Sequence, residues 1–362
     1  MRINILTIQH PYKRGFNDFY PILKWRKEFK LEGINFSFCS SFESVNLDSD
    51  IVIIDHRYLS SIGDRTEKDR TEIIEKIESI KKACKVILFD RGDGTGSRCF
   101  WLTSYVDLHL KKQLLKERSR YTGRDMTACY MKWIPEQIIK DVFREDNSYV
   151  GCPQDQLHKL HVAWNIGNVD YRTFPFSRYY PTSFIPNFIS SGPKILKPSN
   201  HRKIAVSYRG DLHPEPHYNY QRSRVIAILK KLKANNSSII VGGKISKSEY
   251  IKESQNSKVM ISPYGWGEIC FRDFEAFIYG CLLIKPDMSH LETFPNLFLP
   301  NETYLPIDWN IIDLEESLDH VLSKYTEYIN IAQYAQDRFV SYINSFEIFH
   351  NKIKEIIFAI NK

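Results

Sequence analysis

Residues Ser262–Pro286 read SPYGWGEICFRDFEAFIYGCLLIKP, and this stretch decides the fold. It opens on a glycine-rich turn at Gly265 and Gly267. A helix is expected from Glu268, with Arg272 and Glu275 on its first turns and a stop at Gly280. An apolar strand, Cys281 to Ile284, follows at once. A glycine-rich loop entering a helix gathers unpaired backbone N–H groups, which favour an anion such as a diphosphate. Carboxylates beside it accept hydrogen bonds from sugar hydroxyls, and Arg272 supplies a positive charge. Anion cradle, hydroxyl acceptors and cation together describe a site for a nucleotide-sugar.

The chain around this stretch alternates strands and helices. Ile3–Thr7, Asn35–Cys39, Asp50–Asp55 and Lys85–Asp90 read as strands, with helices at Tyr20–Leu31 and Arg65–Ala83. Near-continuous apolar strands alternating with helices imply parallel sheets covered on both faces. The second half repeats the pattern. Lys203–Tyr208 is a strand ending in Arg209-Gly210-Asp211, Arg222–Ala234 a helix, and Ser238–Val241 a strand ending in Gly242-Gly243-Lys244. Ser246–Asn256 is a helix and Lys258–Ser262 the strand that feeds the central motif. Helices are expected over Leu314–Tyr325 and Ile329–Ile360. Pro and Ser punctuation over Ser190–Asn200 marks a linker. Ligands in such sheets bind at the carboxyl ends of the strands, where His56 and the loop Asp90–Ser97 would sit.

The segment resembles the C-terminal donor motif of GT-B-fold glycosyltransferases of the bacterial surface-polysaccharide type. Those enzymes carry a glycine-rich loop, a Glu, a second Glu two helical turns on, a small residue and a buried strand. Glu275-Ala276 and Gly280 match the second half. Glu268 lies seven residues before Glu275, where the commonest version has eight. The resemblance implies an α/β fold of two Rossmann-like domains facing a cleft, with a C-terminal helix crossing back to the N-terminal domain. It places an acceptor domain at 1–195, a nucleotide-sugar domain at 196–335 and the returning helix at 336–362. The donor would be held by Arg209, Gly243, Lys244, Gly267, Glu268, Arg272, Glu275 and Lys285, with His290 a further sugar contact. Asp93, Glu268 and His10 are the catalytic candidates. Asp93, Asp90 and His56 are the alternatives for a base that takes the acceptor proton if configuration inverts. No metal and no separate cofactor is expected, since helix N-termini and basic side chains stabilise the leaving diphosphate. The acceptor expected is a saccharide or lipid-linked saccharide of a capsule or O-antigen. A nucleic-acid acceptor, as in phage enzymes that glycosylate modified bases, and a non-catalytic nucleotide-sugar-binding scaffold are the rival readings.

Composition bounds these readings. At 362 residues there is room for two cores, and 43% hydrophobic with 26% charged residues excludes a disordered chain. A formal charge of +7 suits an anionic ligand, but no dense Arg/Lys stripe interleaved with aromatics marks a nucleic-acid surface. The seven cysteines have no CxxC spacing, which points to reduced thiols and a cytoplasmic protein. No run reaches the roughly 20 apolar residues of a membrane span. Tyr105–Tyr121 (YVDLHLKKQLLKERSRY) reads as a basic amphipathic helix. It either covers a core or lies on the inner face of an anionic membrane.

Overall fold

The structure, a computed structural model, describes residues 1–8, 16–64, 66–123, 150–169, 171, 194–213 and 219–361. Two parallel sheets form its two lobes. In the first, β1 (Arg2–Leu6), β2 (Asn35–Cys39), β3 (Ile51–Asp55), β4 (Lys85–Asp90), β5 (Leu108–Lys111) and β7 (Leu160–Val162) lie in the order β2-β1-β3-β4-β5-β7. In the second, β8 (Ile204–Arg209), β9 (Ile239–Gly242), β10 (Ser257–Ile261), β11 (Leu282–Pro286) and β13 (Leu305–Ile307) lie in the order β13-β11-β10-β8-β9. Every pairing in both sheets is parallel. The order reverses beside the first strand of each lobe, and a crevice opens at such a switch point outside the strand ends. The chain therefore has the expected α/β class and two Rossmann-like halves.

The central strands β3, β4 and β11 are buried on both faces, so they are rich in Ile, Val, Leu and Phe, while the edge strands β2 and β9 are partly exposed. Helices α1 (Tyr20–Lys24), α2 (Arg26–Leu31), α3 (His56–Ile62) and α4 (Glu67–Lys81) belong to the first lobe. Helices α5 (Tyr220–Lys233), α6 (Lys247–Gln255), α7 (Phe271–Tyr279) and α8 (Leu314–Ser323) belong to the second. The helix expected over Tyr20–Leu31 is interrupted at Trp25, whose φ of −104° and ψ of 20° leave the α region. The helix expected over Ile329–Ile360 is two. α9 (Tyr325–Asn344) ends where Ser345 turns extended, and Ser345 then caps α10 (Phe346–Ile360) by accepting from the Ile348 amide at 3.2 Å. In α10, Phe349, Ile353, Ile356 and Ile360 pack against Ile3, Ile5, Phe29 and Trp164 of the first lobe.

A third, apolar cluster joins the lobes. Phe100, Leu114, Leu115 and Tyr121 pack with Phe274, Met288, Leu291 and Phe298. Beside it β6 (Gln113–Leu115) pairs antiparallel with β12 (Leu291–Thr293), one strand from each lobe. This corrects the reading of Tyr105–Tyr121 as a basic helix. The segment forms β5, β6 and a 3-10 turn, and Lys111 and Lys112 are buried in it. Leu108 and Leu110 fill the sheet interior, while the lysines find acidic partners in the β4 loop.

Candidate active site

The loop after β4 is shaped by buried ions. Lys111 Nζ donates to Asp90 Oδ2 at 2.9 Å and to the Gly96 carbonyl at 2.7 Å. The Gly92 amide donates to Asp90 Oδ1 at 2.8 Å, closing the turn. Burial alone would raise the Asp90 pKa, but Lys111 above all outweighs it and holds the carboxyl well below its ordinary value. Arg91 is fully buried beneath. It donates to Asp55 at 2.9 and 2.6 Å and to Asp18 at 2.5 Å, and Asp55 also accepts from the Thr7 hydroxyl at 2.8 Å. These contacts tie the ends of β1, β3 and β4 together.

Three groups on this rim are the base candidates. Asp90 is consumed by Lys111. His56 Nδ1 accepts the Arg91 amide N–H at 2.8 Å. A neutral imidazole held this way carries its proton on Nε2 and is a donor there. Burial lowers the His56 pKa, only partly offset by Asp90 and Asp55, so the ring stays neutral near pH 7. Asp93 keeps half of its side chain exposed, but Lys112 Nζ binds it at 2.9 Å and Arg57 approaches to 3.9 Å. Lys112 above all, working against partial burial, lowers the Asp93 pKa to about 2. His10 lies outside the described residues.

From the second lobe, the turn Gly265-Trp266-Gly267 reaches this loop. The Gly265 amide donates to the Gly267 carbonyl at 3.0 Å. A Cβ on Gly267 would stand 1.6 Å from the Asp93 carbonyl oxygen, so only glycine lets the two backbones meet. We expect Gly267→Ala to lower stability by about 1–3 kcal/mol and to reduce turnover, because backbone on both sides has to shift. Chemical denaturation reads the first and a sugar-transfer assay the second.

Glu268 is not helical, contrary to the sequence reading. Cys270 has extended backbone and caps α7 at its start, so the helix begins at Phe271. The Glu268 carboxylate therefore points away from Glu275. It is fully buried and crosses to the first lobe, accepting from Thr95 N at 3.1 Å, Thr95 Oγ1 at 2.7 Å and Gln113 Nε2 at 3.3 Å. Gln113 Nε2 also donates to the Asp93 carbonyl at 2.5 Å.

Arg272 and Glu275 do sit on the first turns of α7, turned inward. Arg272 donates to the Arg209 carbonyl and stacks at 4.8 Å on the Tyr208 ring. Buried Glu275 accepts from the Tyr250 hydroxyl of α6. Arg209 itself grips Glu253 with Nε (3.1 and 3.0 Å) and one terminal nitrogen (2.8 Å), which leaves its other terminal nitrogen beside Gly242. The Lys244 amide donates to Asp211 Oδ1 at 3.0 Å, and a Cβ on Gly243 would crowd the same oxygen at 2.8 Å. The Lys244 side chain is exposed. Lys285 is the exception in this set. It is fully buried against Asp273 at 3.2 Å and the Ser262 carbonyl at 3.4 Å, so it braces the loop from behind. Asp287 caps its own turn by accepting from the Ser289 amide at 3.2 Å, and the His290 carbonyl accepts from the Lys116 amide at 3.0 Å.

The sequence reading gave no site role to Gln113, Thr95, Arg91 or Lys111. For Lys111 and Gln113 the local signal was a pair of lysines among the leucines of 108–115. Among the described residues no cluster of three or more His, Cys, Asp or Glu could hold a metal ion, and no helix is long and apolar enough to cross a membrane.

No protein-family model and no curated protein sequence matches the chain. In structure it is similar to glycosyltransferases. One is TarM, at 11% identity and TM-score 0.45, covering 86% of this chain and 55% of TarM, so the chain spans about half of that protein. A second is an α-glucosyltransferase in complex with UDP and a 13-mer DNA containing an HMU base, at 10% identity and TM-score 0.47, covering all of both chains. A third is Anabaena HepE in complex with UDP-glucose, at 10% identity and TM-score 0.44, covering 98% of this chain and 99% of HepE.

Proposed function

We propose that the chain is a GT-B-type glycosyltransferase that moves a sugar from a nucleotide-diphospho-sugar to a saccharide acceptor. The observation that carries the reading is the meeting of the two loops. The glycine turn entering α7 and the loop after β4 come from the carboxyl ends of two facing sheets, and Glu268 bonds one to the other. On this reading the diphosphate lies at the N-terminus of α7, close to Arg209 and the Gly242-Gly243-Lys244 turn. Charge leaving the anomeric carbon is taken up by amide protons and guanidinium groups fixed in advance. Arg272 and Lys285 act through the loops they hold, and Glu275 is the acid nearest the nucleoside side. His56 offers an N–H to the acceptor, and Asp93 is a partly exposed carboxylate on that rim. Its low pKa makes it a weak proton acceptor. A role for Asp93 as base would require substrate to displace Lys112. Asp93→Asn, which keeps the shape and removes the basicity, tests that role.

The setting we favour is bacterial surface-glycan synthesis, capsule or O-antigen, in the cytoplasm or at the inner face of its membrane. The acceptor there is a saccharide or lipid-linked saccharide, and turnover is metal-independent and survives EDTA. The decisive measurement is thermal shift against nucleoside diphosphates and nucleotide sugars. A ligand at 100 times its Kd stabilises the fold by about 2.7 kcal/mol. We expect one nucleoside diphosphate to do so and Arg209→Ala to weaken it roughly tenfold, the worth of one charge-assisted contact. No shift with any of them would end the reading, and a shift without turnover would favour a binding scaffold.

A further inference from the structure

Arg209, the last residue of β8, is fixed from two sides. Its backbone carbonyl accepts from the Arg272 guanidinium. Its side chain is taken by Glu253, a buried carboxylate on α6. Arg209 Nε donates to both Glu253 oxygens, at 3.1 and 3.0 Å, and one terminal nitrogen donates to Oε2 at 2.8 Å. The buried Ser207 hydroxyl donates to Glu253 Oε1 and so holds the acid in turn. Ser207 lies two residues before Arg209 on β8, which puts both side chains on one face of the strand.

This geometry selects one edge of the guanidinium. An arginine presents five N–H groups in a planar fork. Glu253 occupies the edge made by Nε and one terminal nitrogen. The second terminal nitrogen lies 2.8 Å from where a Cβ on Gly242 would stand. Gly242 ends β9, and its carbonyl accepts from the Gly210 amide at 3.1 Å, so the loops after β8 and β9 are joined beside that nitrogen. The order of the second sheet reverses at β8, so these loops border the crevice. Arg209 keeps 22% of its side chain exposed and Glu253 only 8%, so the cation is the accessible partner and the acid the covered one. A mobile arginine loses rotamer freedom when it meets an anion, and one already held loses little. From this geometry we propose that Glu253 is a positioning residue for sugar transfer: it aims Arg209 so that the second terminal nitrogen meets the donor diphosphate without reordering. The inference rests on the glycosyltransferase reading and adds to it the residue that orients its diphosphate cation.

The test is a double-mutant cycle on the full chain. UDP, GDP, ADP and TDP are the probes, and calorimetric titration gives the Kd of the one that binds most tightly. In the wild-type background Arg209→Ala should weaken it roughly tenfold. In the Glu253→Ala background the same Arg209→Ala step should cost less than roughly threefold, because a wandering guanidinium has little left to contribute. Any change that Glu253→Ala brings by itself, in charge or in stability, is common to both arms of the cycle and cancels. Glu253→Gln keeps the shape but cannot accept with both oxygens, so the Arg209→Ala cost there should fall between the two. If Glu253→Ala does not fold, the glutamine background decides the matter. An Arg209→Ala cost of tenfold in every background would overturn the inference and leave Glu253 as a structural partner. So would an Arg209→Ala variant that binds as tightly as wild type, since Arg209 would then not face the diphosphate. Failure of all four probes to bind the wild type would end the parent reading, and this inference with it.

Discussion

Replacing Arg91 by methionine is expected to cost about 3–5 kcal/mol of stability, the largest effect of any single substitution considered for this fold. The guanidinium has no exposed surface, and three of its hydrogen bonds reach two buried carboxylates, Asp18 and Asp55. Burial alone would raise both carboxyl pKa values, yet both are held below the ordinary value. Arg91 is the largest favourable influence on Asp55, and it joins Lys112 in holding Asp18. Methionine fills similar volume but strips Asp55 of its main counter-charge and leaves Asp18 with only the more distant Lys112 and Arg57. Denaturant unfolding monitored by fluorescence gives the loss directly. The control is Arg91→Met combined with Asp18→Asn and Asp55→Asn, which should regain a good part of it because the stranded charges are gone. A loss under 1 kcal/mol for the single variant would show that the triad is not what joins β1, β3 and β4.

The second large effect is on catalysis. Glu268→Ala should lower sugar transfer at least roughly hundredfold, because it removes the acceptor of three hydrogen bonds between the lobes and frees the two loops to separate. A displacement of about 1 Å at a reacting centre costs on the order of 10² in rate. Glu268→Gln, which can still accept from Thr95, should retain more activity than alanine. Thr95→Val removes one partner of the same carboxylate and should reproduce part of the loss without altering any acid. Single-turnover transfer at saturating donor isolates this effect from nucleotide affinity. If Thr95→Val were as active as wild type while Glu268→Gln were inactive, Glu268 would act on substrate and not as a latch between lobes.

Much of the fold was legible because parallel strands buried on both faces leave nearly unbroken apolar runs. Lys85–Asp90 is read to the residue for this reason. The glycine turn was legible too, since Gly267 is forced by a close approach of backbones. What could not be read was the direction of side chains at the seam. Glu268 and Glu275, two helical turns apart on paper, point to different lobes because the extended Cys270 delays the helix to Phe271. Lys285 looked like a phosphate contact at a strand end, but Asp273 on the neighbouring helix captures it. The basic stretch around Lys111 and Lys112 scanned as a helical stripe. Its partners Asp90 and Asp93 lie about twenty residues upstream, and pairing over that distance leaves no local periodicity to detect. In each case a long-range ion pair or hydrogen bond overrode the local pattern.

The ribbon of β6 and β12 stitches one edge of the cleft shut, with Leu115 opposite Leu291 and Gln113 opposite Thr293. Backbone bonds along that edge and the apolar cluster beside it resist being pulled apart. Substrates must then enter from the unstitched side, and any gape widens away from the ribbon as a book opens from its spine. The spine runs through Gln113, whose side chain also meets Glu268, so the hinge line lies within hydrogen-bonding reach of the place where the two loops meet.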